Sequence, residues 1–206
     1  MGGIMKILAL ADKSHPALWN YFDPARWKDV GLVVSCGDLP REYLSYMVTV
    51  LPVPLLYVPG NHDTRYRTRP PEGCDAVDDR VVRVKGLVIG GLGGSIWYNG
   101  EGFQYRENEM SRRVKRLLRK AGRMGGLDLF VAHAPPYGIH DLDDSSHYGF
   151  RVFRTLVEEA GTRVFLHGHN HELFSKSGRE TVVGGVRIIN AFEYHVFDIE
   201  ADSSKP

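Results

Sequence analysis

The sequence predicts an α/β fold in which two β-sheets face each other as a sandwich and helices cover the outside. In the first half, short apolar runs rich in β-branched residues alternate with helix-like segments, the pattern of parallel βαβ units. Towards the C-terminus only strand-like runs remain. No internal repeat, low-complexity tract or Pro/Ser linker interrupts the chain, so residues 1–200 read as one domain with a polar tail at 201–206.

The runs Lys6–Ala11, Leu32–Cys36 and Leu55–Pro59 read as strands, with helices at Ala17–Lys28 and Glu42–Val50 between them. Arg80–Val84 and Leu87–Leu92 flank Lys85-Gly86, a hairpin-like break. Met110–Gly122 carries Val114, Leu117, Leu118 and Ala121 at helical spacing. A strand at Leu127–Ala132, a helix at Phe150–Ala160 and a strand at Arg163–Leu166 follow, and then strands at Thr181–Val183, Val186–Ile189 and His195–Ile199. Two stretches read as long loops, which in a compact domain tend to be functional. Gly90–Tyr105 holds Trp97, Tyr98, Phe103 and Tyr105, and Ala134–Tyr148 holds His140, Asp141, Asp143, Asp144 and His147. The glycine run at 90–94 has no GxGxxG-then-helix context, so it is not a dinucleotide fingerprint.

A chain of 206 residues, 43% hydrophobic and 25% charged, suits a globular domain with a real core. Its formal net charge of +1 offers no overall field for nucleic acid or membrane. Cys36 and Cys74 are the only cysteines, so a disulfide framework is not expected and a reducing compartment, the cytoplasm, is. Cys36 sits in an apolar run and reads as a small buried hydrophobe. No signal peptide is expected at the start, and no apolar run approaches the roughly 20 residues that cross a bilayer.

The chemistry lies in five short segments. They are Asp12 in LALAD, Gly37-Asp38 in VVSCGD, Gly60-Asn61-His62-Asp63 in YVPGNHD, His133 in LFVAHAPP, and Gly168-His169-Asn170-His171 in VFLHGHNH. Each follows an apolar run, so its side chains should emerge where a strand ends. Carboxylate, amide and imidazole groups gathered there are what two divalent cations need. Singly, each has a plainer reading: Asp38 as a capping aspartate, NHD as a turn, His133 as a core histidine. Together and in this order the segments resemble the calcineurin-like metallophosphoesterase superfamily, whose pattern runs D-x-H, GD, GNH[DE], H and GHxH. The first block departs from it. It reads Asp12-Lys13-Ser14-His15, with serine where the family places a histidine.

The resemblance implies a four-layer, metallo-dependent phosphatase-like sandwich with two metals at the strand ends, manganese ahead of iron, zinc or nickel. Asp38 would bridge them, Asn61, His133 and His169 would hold the second, and Asp12 and His171 the first. His15 could swing in where Ser14 offers no imidazole, or water could fill the place and leave the first metal weakly held. With the metals about 3.5–4 Å apart, a bridging hydroxide would attack phosphorus in line. His62 would protonate the departing oxygen, with Asp63 orienting its ring. His169 and His171, two residues apart on a strand, should point the same way. His167 then reads as a supporting or structural residue.

The expected substrate is a small phosphomonoester or phosphodiester, nucleotides among them. Arg65, Arg67 and Arg69 alternate just after GNHD and read either as a grip on substrate or as a solvated loop. The basic run from Arg112 to Lys120 reads as the solvated face of an amphipathic helix, and small size and near-neutral charge argue against a polynucleotide. The opposing reading is a catalytically weak or inactive binding module on the same fold, as a retromer-coat subunit of the superfamily is. Ser14 favours that reading, and the retained His62 favours catalysis.

Overall fold

The computed structural model describes residues 3–159, 161–171 and 178–201. In chain order the elements begin β1 (Gly3–Ala11), α1 (Pro16–Trp19), α2 (Pro24–Trp27), β2 (Val30–Ser35), α3 (Arg41–Val50) and β3 (Leu55–Tyr57). A 3₁₀ turn (Thr64–Arg67), β4 (Asp75–Ala76), β5 (Arg80–Val84), β6 (Leu87–Leu92), β7 (Ser95–Ile96) and β8 (Gln104–Tyr105) follow. The chain continues through α4 (Glu107–Gly122), β9 (Leu129–Ala132), α5 (Arg151–Glu159) and β10 (Val164–His167). It closes with β11 (Glu180–Val183), β12 (Val186–Asn190) and β13 (Glu193–Ala201).

Three apolar interfaces separate four layers. One sheet has the order β13-β1-β2-β3-β4 and the other β11-β12-β10-β9-β6-β5. Between them lie Ile7, Ala9, Val34, Leu56, Ile89, Val131, Leu166 and Ile189. The outer face of the first sheet, Leu8, Leu10 and Val33, meets Leu18, Trp27, Tyr43, Leu44 and Met47 from α1–α3. The outer face of the second, Phe130, Phe165 and Ile188, meets α4 and α5 through Val114, Leu117, Phe153 and Leu156. Strands covered on both faces cannot alternate, which is why β1, β2, β6 and β9 read as continuous apolar runs. β1, β2 and β3 run parallel, as do β6, β9, β10 and β12, so two sets of C-terminal strand ends meet along one edge of the sandwich.

The helix expected at Ala17–Lys28 is two short ones. Pro24 disfavours helical backbone at Asp23 and itself starts a new turn, which Asp23 caps through Oδ1 to the Ala25 N–H at 3.0 Å. The loop expected at Gly90–Tyr105 is partly strand: β6 runs to Leu92, and β7 pairs in parallel with β8. The polar tail begins one residue later than expected, since Ala201 is buried in β13 opposite Gly3, and 202–206 lie outside the described residues. Ala160, the expected end of a helix, also lies outside them. No helix among the described residues is long and apolar enough to cross a membrane.

The basic helix is not uniformly solvated. Arg113 is 4% exposed. Its Nη2 donates to Asp78 at 2.6 Å, its Nε to Asp79, and its Nη1 to the Gly93 carbonyl, while its guanidinium lies 4.1 Å from the Tyr105 ring. This side chain fastens α4 to the turn before β5 and to the glycine loop after β6. Removing it would leave the half-buried Asp78 carboxylate without its cation, with the Gly93 N–H as its remaining partner. We therefore expect Arg113→Ala to cost ~3–5 kcal/mol in urea unfolding, with part of the loss recovered by adding Asp78→Asn.

Candidate metal centre

Each predicted ligand sits just past a parallel strand: Asp12 after β1, Asp38 after β2, Asn61 after β3, His133 after β9, and His169 and His171 after β10. Three of these residues, Asp12, Asp38 and His169, have left-handed backbones with φ of 66°, 55° and 70°. Non-glycine residues adopt that region reluctantly and need surrounding structure to hold them there. Here the hold is a set of hydrogen bonds between the strand-end turns. Asp12 accepts the His169 N–H on both oxygens, at 3.1 and 3.0 Å, and donates its own N–H to the Gly37 carbonyl at 3.0 Å. Asp38 Oδ1 accepts the His62 N–H at 2.8 Å. The strand-end turns also approach closely. A side chain at Gly60 would place its Cβ 2.1 Å from Asp38 Oδ1, and one at Gly168 would come within 2.7 Å of Asp12 Oδ2.

Around Asp38 the groups converge. One ligand atom each from Asp38, His133 and His169 lies within 4.8 Å of the others. His133 is fully buried, and its Nδ1–H donates to the Cys36 carbonyl at 2.8 Å, which turns Nε2 into the site. That nitrogen lies 2.9 Å from Asn61 Oδ1 and 3.3 Å from Asp38 Oδ2. Burial alone would lower the His133 pKa, but the Asp38 charge overrides it and raises the value to about 9. Burial likewise acts against ionised Asp38, yet the His133 charge and hydrogen bond bring that carboxyl down to about 2. A proton on Nε2 thus sits among a carboxylate, an amide oxygen and a second imidazole, the donor set a divalent cation would take. Burial, and then the His133 charge, push His169 down to about 3, so its ring is neutral. His169 Nε2–H donates to the Ser146 carbonyl at 2.7 Å, leaving Nδ1 as the free lone pair.

Asn61 is oriented from behind by a residue with no motif of its own. Its Nδ2 donates to the Tyr98 hydroxyl at 3.2 Å, so Oδ1 faces His133. The Tyr98 loop is itself fixed by Gln104, whose Oε1 accepts the N–H groups of Tyr98, Asn99 and Gly100. Trp97 and Tyr105 lie under the guanidinium groups of Arg106 and Arg113. The loop aromatics therefore organise the loop, and the signal that could have found Tyr98 is only its length and aromatic content.

His62 is exposed on the wall of a cleft of about 570 Å³ shared with Asp12, Asp38, Asp63 and His171. Its ring makes no hydrogen bond with Asp63 among the described contacts. Asp63 instead clasps two turns, accepting the Asp38 and Gly60 N–H groups on Oδ2 at 2.7 and 2.8 Å. Burial and then the Asp38 charge push Asp63 up to about 7, against those two bonds. His169 and His171 do not share a strand face, because β10 ends at His167 and His169 is left-handed. His171 instead reaches Asp12, with Nε2 3.4 Å from Oδ1. That hydrogen bond raises the pKa of His171.

The histidines without a motif partner are structural. His167 donates Nδ1–H to the Gly168 carbonyl and accepts from His140 Nδ1 at 3.0 Å, and His140 Nε2 meets the Thr181 hydroxyl at 2.8 Å. Burial lowers both pKa values, keeping the pair neutral. His147 is held by Asp144 at 2.8 Å, its ring centroid 5.1 Å from that of His169. The Ala134–Tyr148 loop thus closes over the second-metal side of the centre.

A family model for calcineurin-like phosphoesterases matches residues 5–173. The chain belongs to that family. No curated protein matches it in sequence. Among solved structures, one crystal structure superposes with a TM-score of 0.70 at 16% identity, covering 95% of each chain. The protein TT1561 of Thermus thermophilus superposes with a TM-score of 0.64 at 16% identity, covering 93% of this chain and 90% of its own. At such identities the likeness concerns the fold.

Family members bind two divalent metals, and the first block is where this calcineurin-like chain differs. His15, the candidate to replace the missing imidazole, is engaged elsewhere in this structure. Its Nδ1 accepts the Ala17 N–H at 3.1 Å as the cap of α1, and its ring stands edge-on to Tyr194 at 4.7 Å. His15→Ala should therefore lower stability by ~1 kcal/mol in urea unfolding and leave metal stoichiometry unchanged. A metal lost in that variant would show that the ring moves into the site. Ser14→His should slow release of the weaker metal to chelator. Tyr98→Phe removes the partner that orients Asn61, and we expect metal affinity to fall ~10-fold by competition with a fluorescent chelator.

Proposed function

We propose that this protein is a metal-dependent phosphoester hydrolase acting on a small phosphomonoester or phosphodiester, with Mn²⁺ as its usual cation. The observation that carries the reading is the gathering of Asp12, Asp38, Asn61, His133, His169 and His171 at strand ends beside a cleft whose wall presents His62. In this reading Asp38, Asn61, His133 and His169 hold one cation, and Asp12, Asp38 and His171 the other. Two such ions would supply Lewis acidity toward the phosphoryl oxygens and lower the pKa of water. The chain's own part is orientation and proton transfer. Cys36, Ser146 and Tyr98 aim the ligands, Asp63 keeps Asp38 and His62 in register, and His62 protonates the leaving oxygen. Both cysteines are free, which fits a reducing compartment such as the cytoplasm. The shared intersheet core supports reading residues 1–200 as one domain.

One observation favours a second reading, a binding module with weak or no activity: Ser14 stands where the family's first histidine belongs, and His15 caps α1. Hydrolysis of bis-p-nitrophenyl phosphate or p-nitrophenyl phosphate with added Mn²⁺ decides between them, since the binding module predicts little or none even at saturating metal. In the hydrolase, His62→Ala should lower kcat by ~10²–10⁴ with metal content intact. Esters of more acidic phenols should suffer less, because their oxygen leaves without a proton. Loss of metal would instead make His62 a ligand.

A further inference from the structure

The cleft beside the metal centre carries two arginines that the reaction above does not use. Its lining continues from His62 and Asp63 along the 3₁₀ turn to Arg65, Tyr66 and Arg69. That turn is anchored. The Tyr66 hydroxyl donates to the Leu39 carbonyl, and its buried ring stands edge-on to Tyr57 at 5.6 Å. The Arg69 N–H donates to the Arg65 carbonyl at 2.8 Å, so these side chains leave the backbone one turn apart on the same side.

The alternating arginines after GNHD separate into two kinds. Arg67 turns away from the cleft, donating to the Gly102 carbonyl at 3.2 Å and lying 4.6 Å from the Phe103 ring. Arg41 lines the cleft but is neutralised by Glu72 at 2.7 Å and Glu42 at 3.7 Å. Arg65 and Arg69 have no ion-pair partner among the described residues. Two uncompensated guanidinium groups on one wall of a concave site make a strong, forked receptor for an oxyanion. A volume of about 570 Å³ is also well beyond what a lone phosphoryl group fills and suits a nucleotide-sized ligand.

We propose that Arg65 and Arg69 form a second anion subsite, and that the substrate is a small phosphoester carrying a further phosphoryl group at its distal end. This rests on the hydrolase reading for the scissile phosphate but not for the anion site itself. A matched ester pair reads the distal group with leaving group and scissile bond held constant: thymidine 5′-(p-nitrophenyl phosphate), with and without a 3′-phosphate. With Mn²⁺, the 3′-phosphorylated ester should show a kcat/KM at least ~10-fold higher, mainly through KM. In Arg65→Gln/Arg69→Gln that ratio should collapse to about 2 or less. Equal kcat/KM for the two esters in the wild type overturns the subsite. So does a ratio unchanged in the double variant, which would mean that the arginines grip the scissile phosphate. Calorimetric titration of the chelator-treated full chain with inorganic phosphate tests the site apart from turnover. Binding that weakens at least ~5-fold in the double variant upholds an anion site at Arg65 and Arg69 even if neither ester is hydrolysed, the ester ratio alone assigning it to the distal phosphate, and absence of wild-type binding removes it even if both are. A single-stranded oligothymidylate that competes better than thymidine 3′,5′-bisphosphate would overturn the assignment to a small ligand.

Discussion

Two hydrogen-bonded links that cross from one sheet to the other hold the site together. At the end of β1, Asp12 accepts the backbone N–H of His169 from the end of β10. At the end of β9, His133 donates Nδ1–H to the Cys36 carbonyl just past β2. Apolar side chains fill the sandwich interior between the sheets, so the polar groups of the site meet at its rim. There the strand-end turns must satisfy each other, and the left-handed residues Asp12, Asp38 and His169 persist because this network over-determines them. With the backbone fixed, the functional ends of the same side chains are presented together. The residues that join the sheets and the residues that would bind the cations are therefore the same.

Architecture was largely legible in the sequence because it is a matter of local pattern. Apolar runs with no alternation signal strands covered on both faces, and the Val114, Leu117 and Ala121 spacing marks the stripe that α4 buries. The misses came where one residue overrides a pattern. Pro24 divides a single helical run into two. Arg113, a cation in a run of cations, is buried because Asp78, Asp79 and the Gly93 carbonyl meet it from distant segments, which no window along α4 contains.

The site was legible to a different depth. Motif order identified the residues that gather at the strand ends. What orients each of them was hidden, because those partners are remote in sequence and ordinary in type. Tyr98 stands 37 positions from Asn61, and Ser146 acts through its main-chain carbonyl, which carries no side-chain signature. Parity along a strand failed for His169 and His171 because it presumes extended backbone, and a φ of 70° at His169 breaks the alternation. Asp63 was expected to serve the His62 ring and instead serves two backbone N–H groups. The motif names the residue type needed there but not which neighbour needs it.

The two halves of the centre differ in rigidity. Asn61, His133 and His169, on the second-metal side, are 3%, 0% and 5% exposed, and a neighbour fixes each. On the other side the His171 side chain is 55% exposed and rests on Asp12, while Ser14 offers a hydroxyl where the family offers an imidazole. A ligand already held in place loses little freedom on binding a cation, whereas an exposed histidine must be ordered at that moment, at a cost of up to ~1–2 kcal/mol. Fewer donors and a looser one act in the same direction, which is the physical basis for expecting the side built from Asp12 and His171 to hold a cation less tightly. That side also opens directly onto the cleft that Arg65 and Arg69 line, whereas the buried side is closed over by the loop that carries Ser146.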